Sequence, residues 1–242
     1  MRSAGADRKA PPVLVVGGTR RKAGKTSLAE AILHSFPEMR WTAVKISTHR
    51  HRKLVAGMKE LASGPHTAAY RILEHTRRTL STRSSAHPRD TGRFLAAGAV
   101  RSLLLEADET GIADGLAALF AAVQKGVKRQ VTRPLAMRVS GTPRAIICET
   151  TRFAPLLNPD LFLIVIGKGK RAIKASSLEM LARADALVLR GARGATKSRG
   201  VRTAQDERLR RPKQKVFYFK AGERLPPALR EFIRSRLFSR SA

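Results

Sequence analysis

Residues 13–33 of this chain have the sequence VLVVGGTRRKAGKTSLAEAIL, and this stretch decides the fold. The four apolar residues Val13 to Val16 predict a buried strand, which two glycines follow. Gly24-Lys25-Thr26-Ser27 then open a segment whose apolar residues recur at helical spacing. A strand, a glycine-bounded loop and a helix N-terminus form a cradle for phosphate. Backbone N–H groups and the positive end of the helix dipole converge there.

Two residues of this loop have roles that follow from their spacing. Lys25 is expected to reach the β- and γ-phosphates of a nucleoside triphosphate, and the Thr26 hydroxyl is expected to hold Mg²⁺. Five residues separate Gly18 from Gly24, one more than in the common pattern. The alternative is a basic strand-to-helix turn without a ligand. The predicted phosphate-binding residues are Gly18, Thr19, Arg20, Arg21, Lys22, Ala23, Gly24, Lys25, Thr26 and Ser27.

The composition limits the class of protein. A chain of 242 residues with 43% apolar residues is long enough, and apolar enough, for one sizeable domain. No apolar run approaches the about 20 residues of a membrane span, and residues 1–12 lack the apolar centre of a signal peptide. The only cysteine, Cys148, lies in an apolar run and cannot form an internal disulfide. We therefore expect a reducing, cytoplasmic setting.

The formal net charge is +30, with basic residues spread over the whole chain. Such a field attracts polyanions and anionic small molecules alike. Coding bias toward alanine and arginine is an alternative origin of the charge. Aromatic residues make up only 5% of the chain and form no run on which bases would stack. The sequence therefore predicts only weak, non-specific binding of nucleic acid.

Strands alternate with helices along the chain, which predicts one α/β domain with a doubly wound, mostly parallel sheet flanked by helices. The predicted strands are residues 13–16, 41–47, 102–105, 145–148, 161–166, 186–189 and 216–219. Later helices are predicted at residues 112–123, 176–182 and 226–238. Other segments are predicted as a frayed basic arm (1–10), an insertion with helices at 52–61 and 67–80 (52–88), a basic irregular stretch (127–143) and a basic loop (191–213). The alternatives are an edge strand within 127–143 and a basic contact surface at 191–213.

Two carboxylates are candidates for chemistry beside the loop. Glu149 ends a predicted strand, where a carboxylate can hold Mg²⁺ or orient the attacking water. Its alternative roles are a helix cap or a salt bridge with Arg152. Asp90 is a candidate for the same metal, and its alternative role is a helix N-cap. The catalytic candidates are Lys25, Glu149 and Asp90, and the metal-ligand candidates are Thr26 and Glu149.

Several basic side chains near the predicted ligand edge have less specific patterns. Lys45 ends the second strand and either reaches a phosphate or is a solvated charge. Arg20 lies five residues before Lys25 and is either a phosphate contact, in cis or across a homodimer, or a solvated charge. His49 and His51 share a face of a strand, but without cysteines or a third ligand nearby they do not make a convincing zinc site.

The chain resembles the molybdopterin-guanine dinucleotide biosynthesis protein B family, whose members are P-loop NTPases that bind GTP. The loop quoted above carries part of this resemblance. Further similar blocks are AVKISTHRH (43–51), RDTGRFLAAGAVRSLLLEA (89–107) and AIICE (145–149). The block that begins Asp90-Thr91 and continues through Ala97-Gly98-Ala99 is more specific than the widespread P-loop.

The resemblance implies Mg²⁺-dependent binding and slow hydrolysis of GTP by an accessory protein of molybdenum cofactor biosynthesis. Its partners would be molybdopterin and a molybdenum-cofactor guanylyltransferase. The longer loop is, however, similar to that of dethiobiotin synthetase, and the guanine-reading Asn-Lys-x-Asp pattern is absent. ATP is therefore the alternative nucleotide. The alternative functions are an ATP-dependent small-molecule kinase or ligase and a nucleic-acid-binding P-loop protein.

Overall fold

A computed structural model of the protein describes residues 10–48, 58–64, 69–75, 90–131, 144–167, 175–191 and 214–238; within 125–131 it describes the backbone only. These ranges contain nine strands in one sheet and five α-helices. The strands are β1 (Val13–Gly18), β2 (Arg40–Ser47), β3 (Met58–Ser63), β4 (Tyr70–His75), β5 (Arg101–Ala107), β6 (Arg144–Glu149), β7 (Leu161–Ile166), β8 (Ala186–Arg190) and β9 (Lys215–Phe219). The α-helices are α1 (Lys25–Ser35), α2 (Asp90–Ala96), α3 (Ile112–Val131), α4 (Ala175–Arg183) and α5 (Pro227–Leu237), and a short 3-10 helix spans Ala154–Leu157.

The strands lie in the order β3-β4-β5-β2-β6-β1-β7-β8-β9. All pairs from β5 to β9 are parallel, whereas the hairpin of β3 and β4 continues the sheet antiparallel at one edge. The chain leaves β1 toward β2, returns through β6, and then continues on the other side of β1 from β7 onward. Open α/β sheets bind ligands at the carboxyl ends of strands where the order reverses in this way.

Hydrophobic cores cover both faces of the sheet. On one face, α1, α2 and α5 bury residues such as Leu28, Phe94 and Ile233 against the strands. On the other face, α3 and α4 bury residues such as Leu116 and Leu181. The protein is thus an α/β fold with a mostly parallel sheet covered on both faces, compatible with the predicted doubly wound architecture.

The predicted strands outside the 52–88 segment are all confirmed, with bounds that differ by a few residues at most. The prediction for the segment itself is wrong where the structure describes it, because Met58–Ser63 and Tyr70–His75 are strands and not helices. Ile72 and Leu73 alternate between two hydrophobic clusters on opposite faces of the sheet. Pairing with the free edge of β5 buries both side chains and outweighs the local helical pattern.

Two further outcomes concern α3 and the remaining segments. The helix predicted to end at residue 123 continues to Val131, so residues 127–131 are helical and not irregular. The rest of 127–143, the arm at 1–9, residues 52–57, 65–68 and 76–88, and the basic loop at 192–213 lie outside the described residues. Within the described ranges, no helix combines the length and the apolar character that a membrane span requires.

Candidate functional site

The loop between β1 and α1 turns sharply before the helix begins. Lys22 and Gly24 have φ angles of 60° and 109°, both in the left-handed region. Gly24 adopts this conformation without the strain that a Cβ atom would add, and α1 starts at the next residue. The loop therefore delivers Lys25 and Thr26 at the N-terminus of a helix, where the backbone N–H groups have no intrahelical acceptors.

Neighbouring elements hold this loop through its backbone. The Thr19 N–H donates to the Val165 carbonyl (3.1 Å), and the Ser177 hydroxyl donates to the Thr19 carbonyl (3.3 Å). The Arg190 Nη1 donates to the Lys22 carbonyl at 3.2 Å. Thus β7, β8 and α4 hold the loop on the side of the sheet toward β9.

Thr151 fixes the other side of the loop. Its hydroxyl accepts a hydrogen bond from the Gly18 N–H (2.9 Å) and donates one to the Gly18 carbonyl (3.1 Å). Thr151 is not predictable from the sequence, because a threonine two residues after a strand has no distinctive pattern. The contact ties the end of β1 to the segment that follows β6.

The two predicted metal ligands are in direct contact. The Thr26 hydroxyl lies 2.7 Å from Oε2 of Glu149 and 3.3 Å from Oδ1 of Asp90. Glu149 is only 5% exposed, at the carboxyl end of β6. Asp90 begins α2, so an oxygen from each of three separate elements meets at one point. The alternative salt bridge between Glu149 and Arg152 is wrong, because Arg152 pairs with Glu109.

Lys45 joins the same cluster from β2. Its Nζ hydrogen-bonds Oδ2 of Asp90 and lies 3.4 Å from Oε1 of Glu149. Burial alone would lower the pKa of Lys45, but the negative charges of Glu149 and Asp90 outweigh it and raise the pKa. The alternative of a solvated charge at Lys45 is therefore wrong. This ammonium compensates two carboxylates that would otherwise repel each other.

Lys25 lies beside this cluster, with its aliphatic stem against Gly18 at the end of β1. A Cβ atom placed on Gly18 would lie 2.9 Å from Cγ of Lys25, so a side chain at position 18 would displace the lysine. Burial lowers the pKa of Lys25 and outweighs the attraction of nearby Glu149. An anion at the loop would relieve this penalty, since a neighbouring opposite charge favours the protonated amine.

Arg20 contributes a buried donor to the same region. Its Nη2 atom is buried and has no hydrogen-bond partner within the described ranges. A buried donor without an acceptor is costly, so this atom is suited to an acceptor supplied by a ligand. The interpretation of Arg20 as a fully solvated charge is therefore wrong for its Nη2 atom.

A cavity of about 420 Å³ lies next to the side chains of Arg20, Lys25, Lys45 and Glu149. Its walls are the loop after β1, the carboxyl end of β2 and the segment after β6. Five cationic side chains line it, against one carboxylate, that of Glu149. The predicted residues Gly18, Arg20, Arg21 and Lys25 line the cavity, whereas Ala23 is fully buried.

The remaining candidates are the two histidines considered for a zinc site and the single cysteine. His49 and His51 lie outside the described residues, and among the described ones no three or more His, Cys, Asp or Glu side chains form a cluster that could hold a metal. Cys148 is buried in β6, and burial raises the pKa of its thiol to about 12. This thiol is therefore protonated at neutral pH and unsuited to act as a nucleophile.

Comparisons of the chain with protein-family models, with characterised proteins and with solved structures gave no significant match. The function is therefore inferred from the geometry of the site and from the motifs in the sequence.

Proposed function

We propose that this protein binds a nucleoside triphosphate with Mg²⁺ in the loop after β1 and hydrolyses it slowly. One observation carries this proposal. The Thr26 hydroxyl meets the carboxylate of Glu149 at 2.7 Å, beside the partly buried side chain of Lys25, at the carboxyl edge of the parallel part of the sheet. A cradle of backbone N–H groups, a lysine and a hydroxyl–carboxylate pair is the set that phosphoryl transfer uses.

The oxygens of the cluster fit Mg²⁺. This cation prefers hard oxygen ligands and usually takes one or two carboxylates together with substrate phosphates. The Thr26 hydroxyl and the Glu149 carboxylate would hold it, and Asp90 lies within reach of the same hydroxyl at 3.3 Å. When bound, the metal would neutralise charge on the transferred phosphoryl group.

Catalysis by the chain itself would consist of positioning and charge stabilisation. Lys25 and the N–H groups at the start of α1 would hold the phosphates, and the buried Nη2 of Arg20 would donate to a phosphate oxygen. Glu149 would orient the attacking water, directly or through the metal. Lys45 would keep Glu149 and Asp90 in place until the substrate arrives. Slow turnover is expected, because no further group in the described residues is placed as a strong general base.

The finer assignment rests on sequence resemblance. We propose a P-loop protein that prefers GTP and acts as an accessory protein of molybdenum cofactor biosynthesis, with molybdopterin and a guanylyltransferase as partners. The single buried cysteine supports a cytoplasmic setting. The preference for guanine over adenine follows from the resemblance.

Competition between nucleotides tests this proposal. A fluorescent triphosphate analogue is bound to the protein with Mg²⁺ and displaced by unlabelled GTP or ATP, and co-purified nucleotide is identified by mass. We expect displacement by both, with GTP the stronger competitor. A preference for ATP of about tenfold or more, about 1.4 kcal/mol, would contradict the GTP assignment and favour the kinase or ligase alternative. Displacement by neither would contradict triphosphate binding itself.

A further inference from the structure

We propose that the cavity over Glu149 binds a second, small anionic molecule, next to the terminal phosphate of the triphosphate. The ligand would carry a carboxylate or a phosphate group on a short apolar body. This inference rests on the proposed function, because it assigns the part of the cavity that the triphosphate would leave open.

The cavity lies on one side of the phosphate loop, toward β2 and β6. Its lining comes from the loop after β1 and from the ends of β2 and β6, and no described residue of β7 or β8 contributes. In the sheet, β2 and β6 lie on one side of β1 and β7 and β8 on the other. A triphosphate held at the N-terminus of α1 therefore has the cavity beside Glu149, on the side of the attacking group.

The cavity has more cationic side chains than a bound triphosphate would contact. Lys45 is compensated by Asp90 and Glu149. Lys25 and Arg20 lie closest to the loop and would contact the phosphates. Arg21 remains, exposed and without an ion pair within the described part of the chain. Arg152 also lines the cavity, and its partner, Glu109, is 70% exposed. Two exposed guanidinium groups, neither held by a buried carboxylate, favour a second anion, which they can bind in a bidentate manner.

The other walls indicate the kind of molecule that carries this anion. Ile46 and Phe153 are both buried and contribute apolar surface, and the hydroxyl residues Ser47 and Thr48 lie at the end of β2. The whole cavity, including the part beside the phosphate loop, has a volume of about 420 Å³, in the range of small-molecule sites. The part left open by a triphosphate is smaller still, and therefore too small for a nucleic-acid duplex or a folded partner. The predicted ligand is therefore a small organic acid or phosphate ester.

The Arg152–Glu109 ion pair offers a way to test the site. The two side chains approach to 2.5 Å, but they are 60% and 70% exposed, so the pair itself contributes little to stability. If Arg152 binds the ligand, Glu109 competes with that ligand for its guanidinium group. Removing Arg152 and removing Glu109 then have opposite effects on binding, whereas a purely structural pair would give the same effect.

The experiment uses phenyl phosphate and benzoate as probes for the phosphate and carboxylate forms of the ligand. Saturation-transfer NMR measures the binding of each probe to the full chain with saturating Mg²⁺ and a β,γ-imido triphosphate. We expect at least one probe to bind. Arg152→Gln is expected to weaken it by about tenfold, the effect of losing a charge-assisted hydrogen bond. Glu109→Gln is expected to bind the probe at least as tightly as wild type, and the exposed Arg224→Gln is the matched control.

Three results would overturn the inference. They are no binding of either probe, equal weakening by Arg152→Gln and Glu109→Gln, and displacement of the probe by the triphosphate analogue. The last result would mean that the probe occupies the phosphate loop. Binding of the analogue is measured in the same samples. Failure of the analogue to bind therefore contradicts the proposed function, whereas failure of the probes alone contradicts only the second site.

Discussion

The hydroxyl of Thr26, in the first turn of α1, donates a 2.7 Å hydrogen bond to Oε2 of Glu149, the last residue of β6. The register of the sheet explains this contact. Glu149 pairs with Val16 of β1 on one side and with Lys45 of β2 on the other, so its side chain emerges beside both the phosphate loop and Lys45. The carboxylate is thereby shared between a hydroxyl suited to a metal and an ammonium that compensates its charge.

Replacing Glu149 by Gln is expected to reduce triphosphate hydrolysis more than binding. The amide retains the size of the side chain but loses the charge that would hold Mg²⁺ or orient water, and such interactions act mainly in the transition state. We expect turnover to fall by about tenfold or more while affinity changes by less than about threefold. Phosphate release and nucleotide titration measure the two quantities.

The exposed Glu38→Gln is a matched control for this experiment, since Glu38 does not line the cavity and pairs with the exposed Arg234 at 3.5 Å. It is expected to leave both quantities unchanged. Wild-type turnover in Glu149→Gln would show that Glu149 is structural, and Asp90 would become the leading carboxylate for the metal.

Replacing Lys45 by Met is expected to destabilise the protein and to make it more sensitive to Mg²⁺. Without the ammonium, the buried Glu149 side chain keeps, among the described residues, only the hydrogen bond from Thr26, and it repels Asp90. A buried charged group that loses its partner costs roughly 1–3 kcal/mol or more. A divalent cation would replace the lost charge and restore stability.

Thermal unfolding with and without Mg²⁺ measures this effect. The midpoint of Lys45→Met is expected to rise with Mg²⁺ by more than that of wild type or of the exposed Lys220→Met. Equal Mg²⁺-induced shifts in all three proteins would contradict a cation site at Glu149 and Asp90.

Much of this site is predictable from sequence because its central motif is local. The VLVV strand, the glycines and the GKTS helix start are contiguous, and their structure follows from periodicity and backbone geometry. Glu149 is also predictable, because it ends an apolar strand and such ends meet at the ligand edge. The contact between Thr26 and Glu149 then follows if β6 is placed next to β1 in the sheet.

The remainder depends on pairings that leave no local signal. The ion pair of Lys45 with Asp90 joins β2 to α2, and the two residues are 45 positions apart in the sequence. Nothing local marks them as partners, so the lysine looks like any other basic residue of the chain. Strand β4 contains Ile72 and Leu73 in a stretch whose spacing also suits a helix. Its structure is decided by the open edge of β5, which sequence periodicity cannot reveal.

The net charge of +30 leads to a prediction about nucleic acid. A protein that neutralises several phosphates of a duplex loses affinity steeply with salt, by about 0.9 log units per log unit of salt for each phosphate. A single triphosphate, by contrast, would make short and shielded contacts with Lys25 and its neighbours. We therefore expect weak oligonucleotide binding that is largely lost near 0.15 M ionic strength (about 8 Å Debye length), while triphosphate binding changes little.

One salt series with a labelled oligonucleotide and a labelled triphosphate measures both affinities. Sub-micromolar oligonucleotide binding near physiological ionic strength that responds to the triphosphate would contradict the accessory-protein proposal. It would make the nucleic-acid-binding P-loop alternative the better account of the charge.

The most direct measurement is titration of the wild-type protein and of Lys25→Ala with a fluorescent triphosphate in the presence of Mg²⁺. We expect the wild type to bind the triphosphate saturably and the variant not to bind it, because Lys25 supplies the positive charge that the phosphates require. The exposed Lys220→Ala controls for loss of one positive charge and is expected to bind as the wild type does. Circular dichroism is expected to show an unchanged fold in both variants. Equal affinity of Lys25→Ala and wild type for the triphosphate would contradict the central claim that the loop after β1 is a phosphate-binding site.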